Sequence, residues 1–501
     1  MKDKTIATTN KTNTTTTTNK KETGITVNKN DDFSGWFSQV VEKAGLADHI
    51  SAKGFIILKP YGYAIWESIR DILDKKLKET GHSNGFLPCL IPESILNKEE
   101  DHFKGFNPEV FWVTHSGNSE LNEKLALRPT SEALLYSIFP KWISSYRDLP
   151  LRVNFWNTAL RAEIKSTKPF IRNSEFLWQE GHTVHASKDE AEDQVLMILD
   201  IYKNLIENIL SIPTITGYKS NKEKFVGADY TTTLEGMMHD GKALQLGTSH
   251  NLGRNFSKPF EIKFLNRENN EEFAWQTSWG ISWRLIGAII MVHADQQGLI
   301  LPPIIAPIQI IIIPIYKNNN EKIVKENANS LKNKLSQLGY RVFVDERNEY
   351  TAGWKYNEWE IKGVPIRINI GQRDIENNTI EIVRRDTKQK QVIPLVQLKE
   401  NIEKIFGTIQ NDLFVNAEKL LKEKTKKVSD YKEFKKTMNN AEGFIICGWC
   451  GDEKCEVNIK EETGADIRVL PFVQKELNEN LKNCIYCNNK AEKIAIFARA
   501  Y

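Results

Sequence analysis

Two neighbouring stretches in the middle of the chain alternate in side-chain character with a period of two residues. The first is TALRAE, Thr158–Glu163, and the second is EFLWQEGHTVH, Glu175–His185. This period is typical of β-strands, because successive side chains of a strand point to opposite faces. Two such strands joined by a polar loop predict an antiparallel sheet. The apolar stripe of Lys188–Leu210, which follows a capping-box serine at Ser187, predicts a helix beside that sheet.

The rest of the chain divides into segments of different composition. With 501 residues it has room for about three domains. Residues 1–28 are rich in Thr, Asn and Lys and predict a disordered tail, because such a segment buries too little apolar surface to fold. Helices mixed with alternating strands over 29–302 predict the first domain. The order β-α-β-α-β-β that follows the Pro-rich segment Leu301–Pro307 predicts an α/β domain over 303–405, and residues 406–501 form a third unit.

Charge and hydropathy limit the partners that this chain is expected to have. The 68 Lys and Arg residues against 65 Asp and Glu residues give a net charge of +3, which indicates no partner by itself. The most apolar stretch, Leu299–Ile315, contains four prolines and is too short to span a bilayer. The N-terminus lacks the apolar run of a signal peptide. We therefore expect a cytoplasmic protein with no membrane or DNA partner.

Five of the six cysteines lie between Cys447 and Cys487. Two close pairs separated by roughly thirty residues are typical of a tetrahedral thiolate site for Zn²⁺. Because Cys447 belongs to the apolar, strand-like FIIC, we assign the zinc ligands to the other four: Cys450, Cys455, Cys484 and Cys487. Four thiolates leave no open coordination position, so this zinc is expected to be structural. The alternative is a set of free buried thiols.

Charged and aromatic side chains gather on the two predicted strands. Arg161 and Glu163 share one face of the first strand. The second strand presents four side chains on one face: Phe176, Trp178, Glu180 and His182. Such a surface suits a nucleotide, because an aromatic ring can lie under the base while arginines bind phosphates. The sequence contains neither a P-loop nor a Rossmann glycine motif, which excludes those two routes to phosphate binding.

Each of these features also has a plainer explanation. An Arg–Glu pair on a strand is usually an ion pair without catalytic function, and aromatic residues at period two usually face a core. A histidine such as His250 is more often satisfied within the protein than bound to a ligand.

Several motifs in the same order as in one enzyme family make the functional interpretation specific. RPTSE, PFIRNSEFLWQEGHT, GTSHNLGRNFS and SWGISWRLIG resemble the motifs of prolyl-tRNA synthetases of the shorter eukaryote- and archaea-like form. The resemblance continues through DERNEYTAGWKYNEWEIKGVPIRINIGQRD and the cysteine region, and covers everything after about residue 30. It implies an α+β fold with a class II catalytic domain on an antiparallel sheet, an α/β anticodon-binding domain and a small α+β zinc-binding C-terminal domain.

The resemblance implies an ATP site of nine side chains: Arg161, Glu163, Arg172, Asn173, Phe176, Gln245, Thr248, Ser282 and Arg284. Arg161 and Arg284 are the expected catalytic residues, the first on the α-phosphate and the prolyl carboxylate, the second over the adenine and on the γ-phosphate. Glu163 reads the adenine amino group, and Phe176 lies under the ring. Mg²⁺ is the expected cofactor of ATP, with Gln245 as its candidate protein ligand.

The family also implies a proline site of seven side chains: Thr130, Glu132, Arg161, Trp178, Glu180, His182 and His250. Thr130 and Glu132 are expected to hold the secondary ammonium of L-proline. The implied activity is the ATP-dependent formation of prolyl-adenylate and transfer of proline to the terminal ribose hydroxyl of tRNA(Pro). The sequence offers no dedicated general base for the transfer. The segment from His182 to Trp275 is too short for an editing insertion, so we expect no editing in cis.

Three further regions are expected to bind partners. The candidate anticodon residues are Trp354, Lys355, Glu358 and Arg367, although Trp354 and Trp359 also fit a helix-face core. The Lys-rich helical stretch Lys419–Lys436 is either a tRNA phosphate contact or a solvated helix face. GFLPCLIPES, Gly85–Ser94, resembles the first class II motif, which implies a homodimer. The chain ends at Tyr501 as in the family, and we expect its carboxylate near the catalytic cleft.

Two other functions remain open from the sequence. The first alternative is a class II synthetase for another amino acid, such as threonine or histidine. The second is a non-catalytic tRNA-binding paralogue. RPTSE with QEGHT and GTSH argues against the first, and the presence of Arg161 and Arg284 argues against the second.

Overall fold

The structure is a computed structural model that describes residues 24–100, 109–162, 166–317, 319–440, 442–474 and 481–501. Most of the predicted tail over 1–28, and Glu163, lie outside the described residues. Within these ranges the chain forms twelve α-helices: α1 (Phe33–Lys43), α2 (Pro60–Glu79), α3 (Glu93–Glu100), α4 (Glu132–Tyr136), α5 (Lys188–Asn204), α6 (Arg284–His293), α7 (Glu321–Gln337), α8 (Ala352–Ile361), α9 (Gln372–Glu376), α10 (Leu398–Glu423), α11 (Tyr431–Asn439) and α12 (Glu453–Thr463).

The same residues form strands in the following order: β1 (Ala47–His49), β2 (Ile56–Leu58), β3 (Ser83–Gly85), β4 (Leu90–Pro92), β5 (Trp112–Ser116), β6 (Ser119–Leu127), β7 (Leu151–Leu160), β8 (Glu175–His185), β9 (Thr214–Tyr218), β10 (Tyr230–Met237), β11 (Ala243–Gly253), β12 (Lys263–Leu265), β13 (Glu271–Phe273), β14 (Trp275–Ser282), β15 (Ile310–Ile315), β16 (Val342–Val344), β17 (Ile366–Gly371), β18 (Thr379–Arg384), β19 (Lys390–Pro394), β20 (Thr425–Lys427), β21 (Phe444–Trp449), β22 (Asp466–Pro471) and β23 (Lys493–Ala498).

An 11-stranded sheet dominates the molecule, in the order β20-β21-β23-β22-β9-β10-β11-β14-β8-β7-β3. Its six central strands, β9 to β7 in that order, pair antiparallel. The predicted pair of strands is confirmed as β7 and β8, which places Ala159 opposite Phe176. β7 ends at Leu160, although the backbone N–H of Arg161 still donates to the carbonyl of Ser174 at 2.7 Å.

Helices cover one face of this sheet and bury a shared core. α5 confirms the predicted helix, and its Ser187 hydroxyl accepts a hydrogen bond from the Glu190 N–H at 3.2 Å. The last part of the predicted segment continues as a π-helical turn over Leu205–Ile209. α1, α2, α5 and α6 pack their apolar sides together with residues of β11 and β14. The central sheet and these helices are the predicted α+β catalytic fold.

The C-terminal strands continue the central sheet instead of forming a separate one. β22 pairs antiparallel with β9, with Leu470 opposite Tyr218 and Pro471 opposite Gly217. The predicted terminal strand is β23, which lies between β21 and β22 inside the sheet. The four-cysteine region is therefore joined by strand pairing to the part of the chain that precedes residue 302.

A second sheet of five strands, in the order β16-β15-β17-β18-β19, forms the α/β unit. β15 pairs in parallel with β16 and β17, as the buried strand at Ile310–Ile315 and the two following helices predict. α9, β19 and the part of α10 that precedes Lys419 have no counterpart in the sequence-based prediction. α10 runs without a break through residue 405, so the boundary between 405 and 406 stays a prediction.

Two predicted segments differ from the structure. The Lys-rich stretch Lys419–Lys436 is not one helix, because β20 interrupts it to pair with β21, and the Asp430 carboxylate then caps α11. At the other end, Ile25 and Val27 of the predicted tail pack against the helical core. Their apolar side chains supply the surface that lets this part of the predicted tail pack against the fold.

No helix among the described residues is both long enough and apolar enough to cross a membrane.

Candidate active site

A cavity of about 270 Å³ opens on the central sheet. Twelve of the side chains that the sequence singled out line it: Thr130, Glu132, Arg161, Phe176, Trp178, Glu180, His182, Gln245, Thr248, His250, Ser282 and Arg284. Eight of them lie on β8, β11 and β14, which are neighbours in the antiparallel sheet, and the other four lie at or just before the start of α4, directly after β7 and at the start of α6.

The period of β8 explains how four of these side chains reach the cavity. Phe176, Trp178, Glu180 and His182 alternate along the strand and therefore share one face. Between them Gly181 lies over the ring of Trp279, and a Cβ at this glycine would come within 2.0 Å of that ring. A side chain larger than hydrogen at this position would clash with the Trp279 ring that packs against β8.

Arg161 and Arg284 approach the cavity from different elements. The Arg161 guanidinium carbon lies 5.2 Å from the ring centre of Phe176 and 6.0 Å from that of Trp178. Arg284 opens α6, and its guanidinium donates to the backbone carbonyls of Ile171 (3.2 and 3.3 Å) and Gln245 (3.4 Å). Burial and the charge of Arg161 lower the pKa of Arg284 to about 10, so the Arg284 guanidinium is still charged at neutral pH.

Thr130 and Glu132 form a second polar group at the same cavity. The Thr130 hydroxyl donates to the Glu132 carboxylate, and Glu132 is the first residue of α4. Across the cavity the ring nitrogens of His250 lie 2.9 Å from the Thr231 hydroxyl and 3.1 Å from the Thr248 hydroxyl. Burial lowers the pKa of His250 to about 3, so this ring is neutral at physiological pH.

A buried network holds Glu180 in its ionised form. Its carboxylate lies 3.3 Å from Arg128 Nη1, accepts from the Asn157 amide at 2.9 Å and accepts from the Ser131 hydroxyl. Burial alone would raise the pKa of Glu180, but the contacts with His182 and Arg128 outweigh it and lower that pKa below its ordinary value. The sequence analysis did not single out these partners, although Arg128 and Ser131 stand within the RPTSE motif.

Nine further lining residues were not assigned to the site from the sequence, among them Glu223, Phe225, Thr231 and Ser278. Ser278 is the first residue of the quoted motif SWGISWRLIG, whereas nothing in the sequence around Glu223, Phe225 and Thr231 signals a site. The Ser278 hydroxyl and the Trp178 indole N–H are buried without a hydrogen-bond partner among the described residues. Both are therefore available to a polar ligand in the cavity.

Two residues predicted for the ATP site do not line this cavity. Arg172 is exposed and lines a second cavity of about 520 Å³, and Asn173 is buried. Tyr501 lies at that second cavity, where its hydroxyl donates to Asp240 at 2.5 Å. Its ring centre is 5.2 Å from Lys168 Nζ and 4.6 Å from Lys242 Nζ. The chain end thus docks on the catalytic unit, beside the loop that connects β7 with β8.

The four cysteines assigned to zinc lie together. The sulfurs of Cys450, Cys455, Cys484 and Cys487 are all within 4.8 Å of one another. The Cys450 sulfur is 3.6 Å from that of Cys455 and 3.7 Å from that of Cys487. A tetrahedron with Zn–S bonds of about 2.3 Å has edges of about 3.8 Å, so this donor set fits zinc. Cys447 lies buried on β21, outside the cluster.

Comparison with known families follows the same division of the chain. The model of the tRNA synthetase class II core domain (G, H, P, S and T) matches residues 111–293, and the anticodon-binding domain model matches 309–405. The model of the prolyl-tRNA synthetase C-terminal region matches 431–501. A proline–tRNA ligase of Cenarchaeum symbiosum is 54% identical over 473 residues, which span 94% of this chain and 98% of the relative.

The chain belongs to the prolyl-tRNA synthetase family. A second relative, proline–tRNA ligase 2 of Clostridioides difficile, is 50% identical over 471 residues, or 94% of this chain and 97% of its own length. Among solved structures, the prolyl-tRNA synthetase of Cryptosporidium parvum complexed with halofuginone and AMPPNP is 41% identical, with a TM-score of 0.90. That match covers 96% of this chain and 100% of the other.

Within this prolyl-tRNA synthetase fold, two of the candidate anticodon residues face inward. Lys355 is buried and donates to the Asp345 carbonyl at 3.0 Å, and Arg367 donates to Glu360 at 2.9 Å. Trp354 stacks on Tyr350 with 3.9 Å between ring centres. Tyr350 and Arg347 were not predicted from the sequence, and the Arg347 guanidinium carbon lies 5.0 Å from the centre of the Tyr350 ring.

Glu358 lies on the same surface, in ion pairs with Arg347 and Lys362. Tyr350 is exposed and Arg347 and Trp354 are partly exposed, so this group is suited to stacking against a base.

Proposed function

We propose that the 270 Å³ cavity activates L-proline with ATP and that the chain then transfers the prolyl group to the 3′-terminal ribose hydroxyl of tRNA(Pro). One observation carries this proposal: Thr130, Glu132, Arg161 and Arg284 line a single cavity. The comparisons add that the chain belongs to a family whose relatives are named proline–tRNA ligases.

In the first step the proline carboxylate attacks the α-phosphate in line, and pyrophosphate leaves. No covalent bond to the enzyme is needed, so the protein contributes position and electrostatic stabilisation. An arginine side chain is positively charged throughout the physiological pH range, and the planar guanidinium of Arg161 can donate to a carboxylate oxygen and a phosphate oxygen at the same time. The adenine then lies between the ring of Phe176 and the guanidinium of Arg284, and Glu163 is the proposed reader of its amino group.

Thr130 and Glu132 are the proposed ligands of the secondary ammonium, because a carboxylate beside a hydroxyl offers oxygen acceptors to its two N–H donors. His250 is neutral and hydrogen-bonded by two threonines, so it shapes the subsite without adding charge. Trp178 and His182 complete the walls around the ring of proline.

Mg²⁺ is the proposed companion of ATP. The cavity presents the side-chain oxygens of Gln245 and Thr248, and neutral oxygens together with phosphate oxygens are ligands that Mg²⁺ accepts. When bound, the ion neutralises charge on the departing pyrophosphate. Arg172 and Asn173 stay proposed contacts of the ATP site.

Residues between His182 and Trp275 are all described, and they form α5 and strands of the central and flanking sheets. This segment holds no separate domain, in agreement with the expectation that the chain has no editing domain in cis.

The decisive experiment is ATP–pyrophosphate exchange in the presence of single amino acids. Wild type should exchange with proline and not with threonine or histidine, and Arg161→Ala should lower the proline-dependent rate about a hundredfold or more. Arg373→Ala removes an exposed arginine of α9 and should leave the rate unchanged. Absence of proline-dependent exchange in the folded wild type would favour the non-catalytic alternative.

We also propose that the four-cysteine cluster binds structural Zn²⁺, which when bound ties α12 to the segment around Cys484 and Cys487. Metal analysis should find one zinc ion per chain in wild type and in Cys447→Ala. In Cys487→Ser the zinc should be lost, because one thiolate of the tetrahedron is gone. Retention of zinc in Cys487→Ser together with its loss in Cys447→Ala would assign the ligands differently.

The remaining partner proposals rest on exposed surfaces. Phe86 is 87% exposed and directly follows β3, the edge strand of the central sheet, within the segment that resembles the first class II motif around Pro88. We propose a homodimer through this edge. Anticodon bases are proposed to stack at Trp354, beside Glu358. The cytoplasm stays the expected location.

A further inference from the structure

Helix α12 of the C-terminal region reaches a turn of the catalytic unit that follows β9. Glu456 is 1% exposed, and its carboxylate accepts a hydrogen bond of 2.6 Å from the Ser220 hydroxyl, which is also 1% exposed. The same hydroxyl accepts from the Glu223 backbone N–H at 3.2 Å. Ser220 therefore links the buried carboxylate on α12 to the backbone of the 220–225 turn.

The 220–225 turn contributes two side chains to the wall of the active-site cavity. Glu223 and Phe225 both line it. The Phe225 ring centre lies 4.8 Å from that of His250, and the Phe225 backbone N–H donates to the Thr231 hydroxyl at 2.9 Å. Because that hydroxyl also contacts His250, a displacement of the turn moves the side of the cavity that holds the histidine.

A second contact joins the same helix to the same turn. Lys460 lies four residues after Glu456, one helical turn further along the same side of α12. Its ammonium is 3.8 Å from the Glu223 carboxylate and 2.6 Å from that of Asp466. Helix α12 thus holds the turn through the Ser220 hydroxyl and through the Glu223 carboxylate.

The position of α12 depends on the cysteine cluster at its start. Asp452 caps the helix, and Cys455, one of the four clustered thiols, precedes Glu456 directly. A metal ion held by Cys455 together with Cys484 and Cys487 would restrain the first turn of α12 against the rest of the C-terminal region. The same first turn carries the contact to Ser220.

We propose that Glu456 is a positioning residue for the proline subsite, which it orders through Ser220 and the 220–225 turn. The C-terminal region thereby acts on amino-acid binding as well as on stability. This inference rests on the proposed function of the cavity, because it needs the side near His250 to bind proline while ATP binds at the side near Arg284.

The test is proline-dependent ATP–pyrophosphate exchange by Glu456→Ala and Ser220→Ala. Each variant should raise the KM for proline about three- to tenfold, the range expected for loss of one buried hydrogen bond. The KM for ATP should change less than twofold, because the ATP side of the cavity does not contact the turn. Glu461→Ala removes an exposed carboxylate of the same helix and should leave both constants unchanged.

Two further measurements separate positioning from general damage. Glu456→Gln keeps an oxygen acceptor for Ser220 and should restore most of the proline KM. The double variant Glu456→Ala/Ser220→Ala should show the same KM as either single variant, because both changes remove the same link. Metal content and melting temperature should be measured for every variant. If Glu456→Ala loses its metal, the KM for proline of Ser220→Ala is the measurement that tests the proposal.

The outcomes distinguish this inference from the proposed function. If wild type shows no proline-dependent exchange, the proposed function fails. If wild type exchanges normally but Ser220→Ala keeps the wild-type KM for proline, or if the KM values for ATP and proline rise together, the positioning role is wrong.

Discussion

Glu180 lies buried beside Arg128, and its charge orders one wall of the active-site cavity. The carboxylate takes hydrogen bonds or close contacts from four side chains: Arg128, Ser131, Asn157 and His182. This buried carboxylate stays ionised, because its hydrogen bonds and charge contacts lower its pKa by more than burial raises it. Because alternate side chains of β8 share one face, the contacts that hold Glu180 in place also keep Trp178 and His182 facing the cavity.

The last residue of the chain offers a test at the same scale. Tyr501 lies between Lys168 and Lys242, and Ala500 forms a bridge with Ala243 at the start of β11. Deleting Ala500 and Tyr501 should lower kcat, because it releases the loop after β7 and the strand that carries Gln245. The melting temperature should change little, since the two residues add little to the buried core. Steady-state aminoacylation and thermal melting check this.

Tyr501→Phe is the matched variant for that deletion. It keeps the ring between the two lysines and loses only the hydroxyl contact with Asp240, so most of the kcat should remain. An unchanged kcat in the deletion variant would remove the catalytic role of the chain end.

At the scale of elements, the junction between β22 and β9 joins the C-terminal region to the catalytic sheet. Glu235 on β10 is fully buried there, with Lys219 Nζ at 2.6 Å and Arg468 Nη2 at 3.0 Å. The Arg468 side chain comes from β22, so this ion cluster spans the junction. Without Glu235, two buried cations would face each other unpaired.

Glu235→Gln should therefore lower the free energy of unfolding by about 3–5 kcal/mol, the cost of removing one partner from a buried ion pair. Lys435→Ala removes an exposed ion pair with Glu462 and should cost less than about 1 kcal/mol. Chemical denaturation of both variants measures the difference. Equal decreases in the free energy of unfolding would mean that the buried ion cluster stabilises the fold no more than an exposed ion pair does.

At the scale of the whole molecule, buried histidines make the stability depend on pH. His82, His185 and His293 are buried, and burial lowers their pKa from 6.5 to about 4, 3 and 4. Between pH 6.5 and about 4 the folded chain keeps them neutral, while the unfolded chain takes up protons. Stability should therefore fall as the pH falls through this window.

Each of these histidines should add about 1.4 kcal/mol per pH unit to the slope of unfolding free energy against pH well below 6.5. His185→Gln should reduce the slope by that amount, whereas His115→Asn, which replaces an exposed histidine, should leave it unchanged. Denaturation midpoints measured from pH 6 to 4.5 give the slopes. A slope that His185→Gln leaves unaltered would contradict a neutral, buried His185.

Several elements were predictable because their signal is local. The alternation in Glu175–His185 predicted β8, the stripe in Lys188–Leu210 predicted α5, and the apolar run before Ile315 predicted β15. The Lys-rich stretch was predicted as one helix, since lysine favours helix, but pairing of β20 with β21 decided otherwise. Strand pairing is a contact between distant segments, and helix propensity carries no information about it.

The sequence by itself determined the family, the strand face that carries Phe176 to His182, and the four cysteines with the spacing of a metal site. These depend on residue type and on short periods, which neighbouring residues encode. Only the tertiary structure decided that the C-terminal strands extend the catalytic sheet, that Lys355 and Arg367 face inward, and that Ser220 contacts Glu456. Such contacts join residues far apart in the chain, and burial and desolvation exist only once those residues have met.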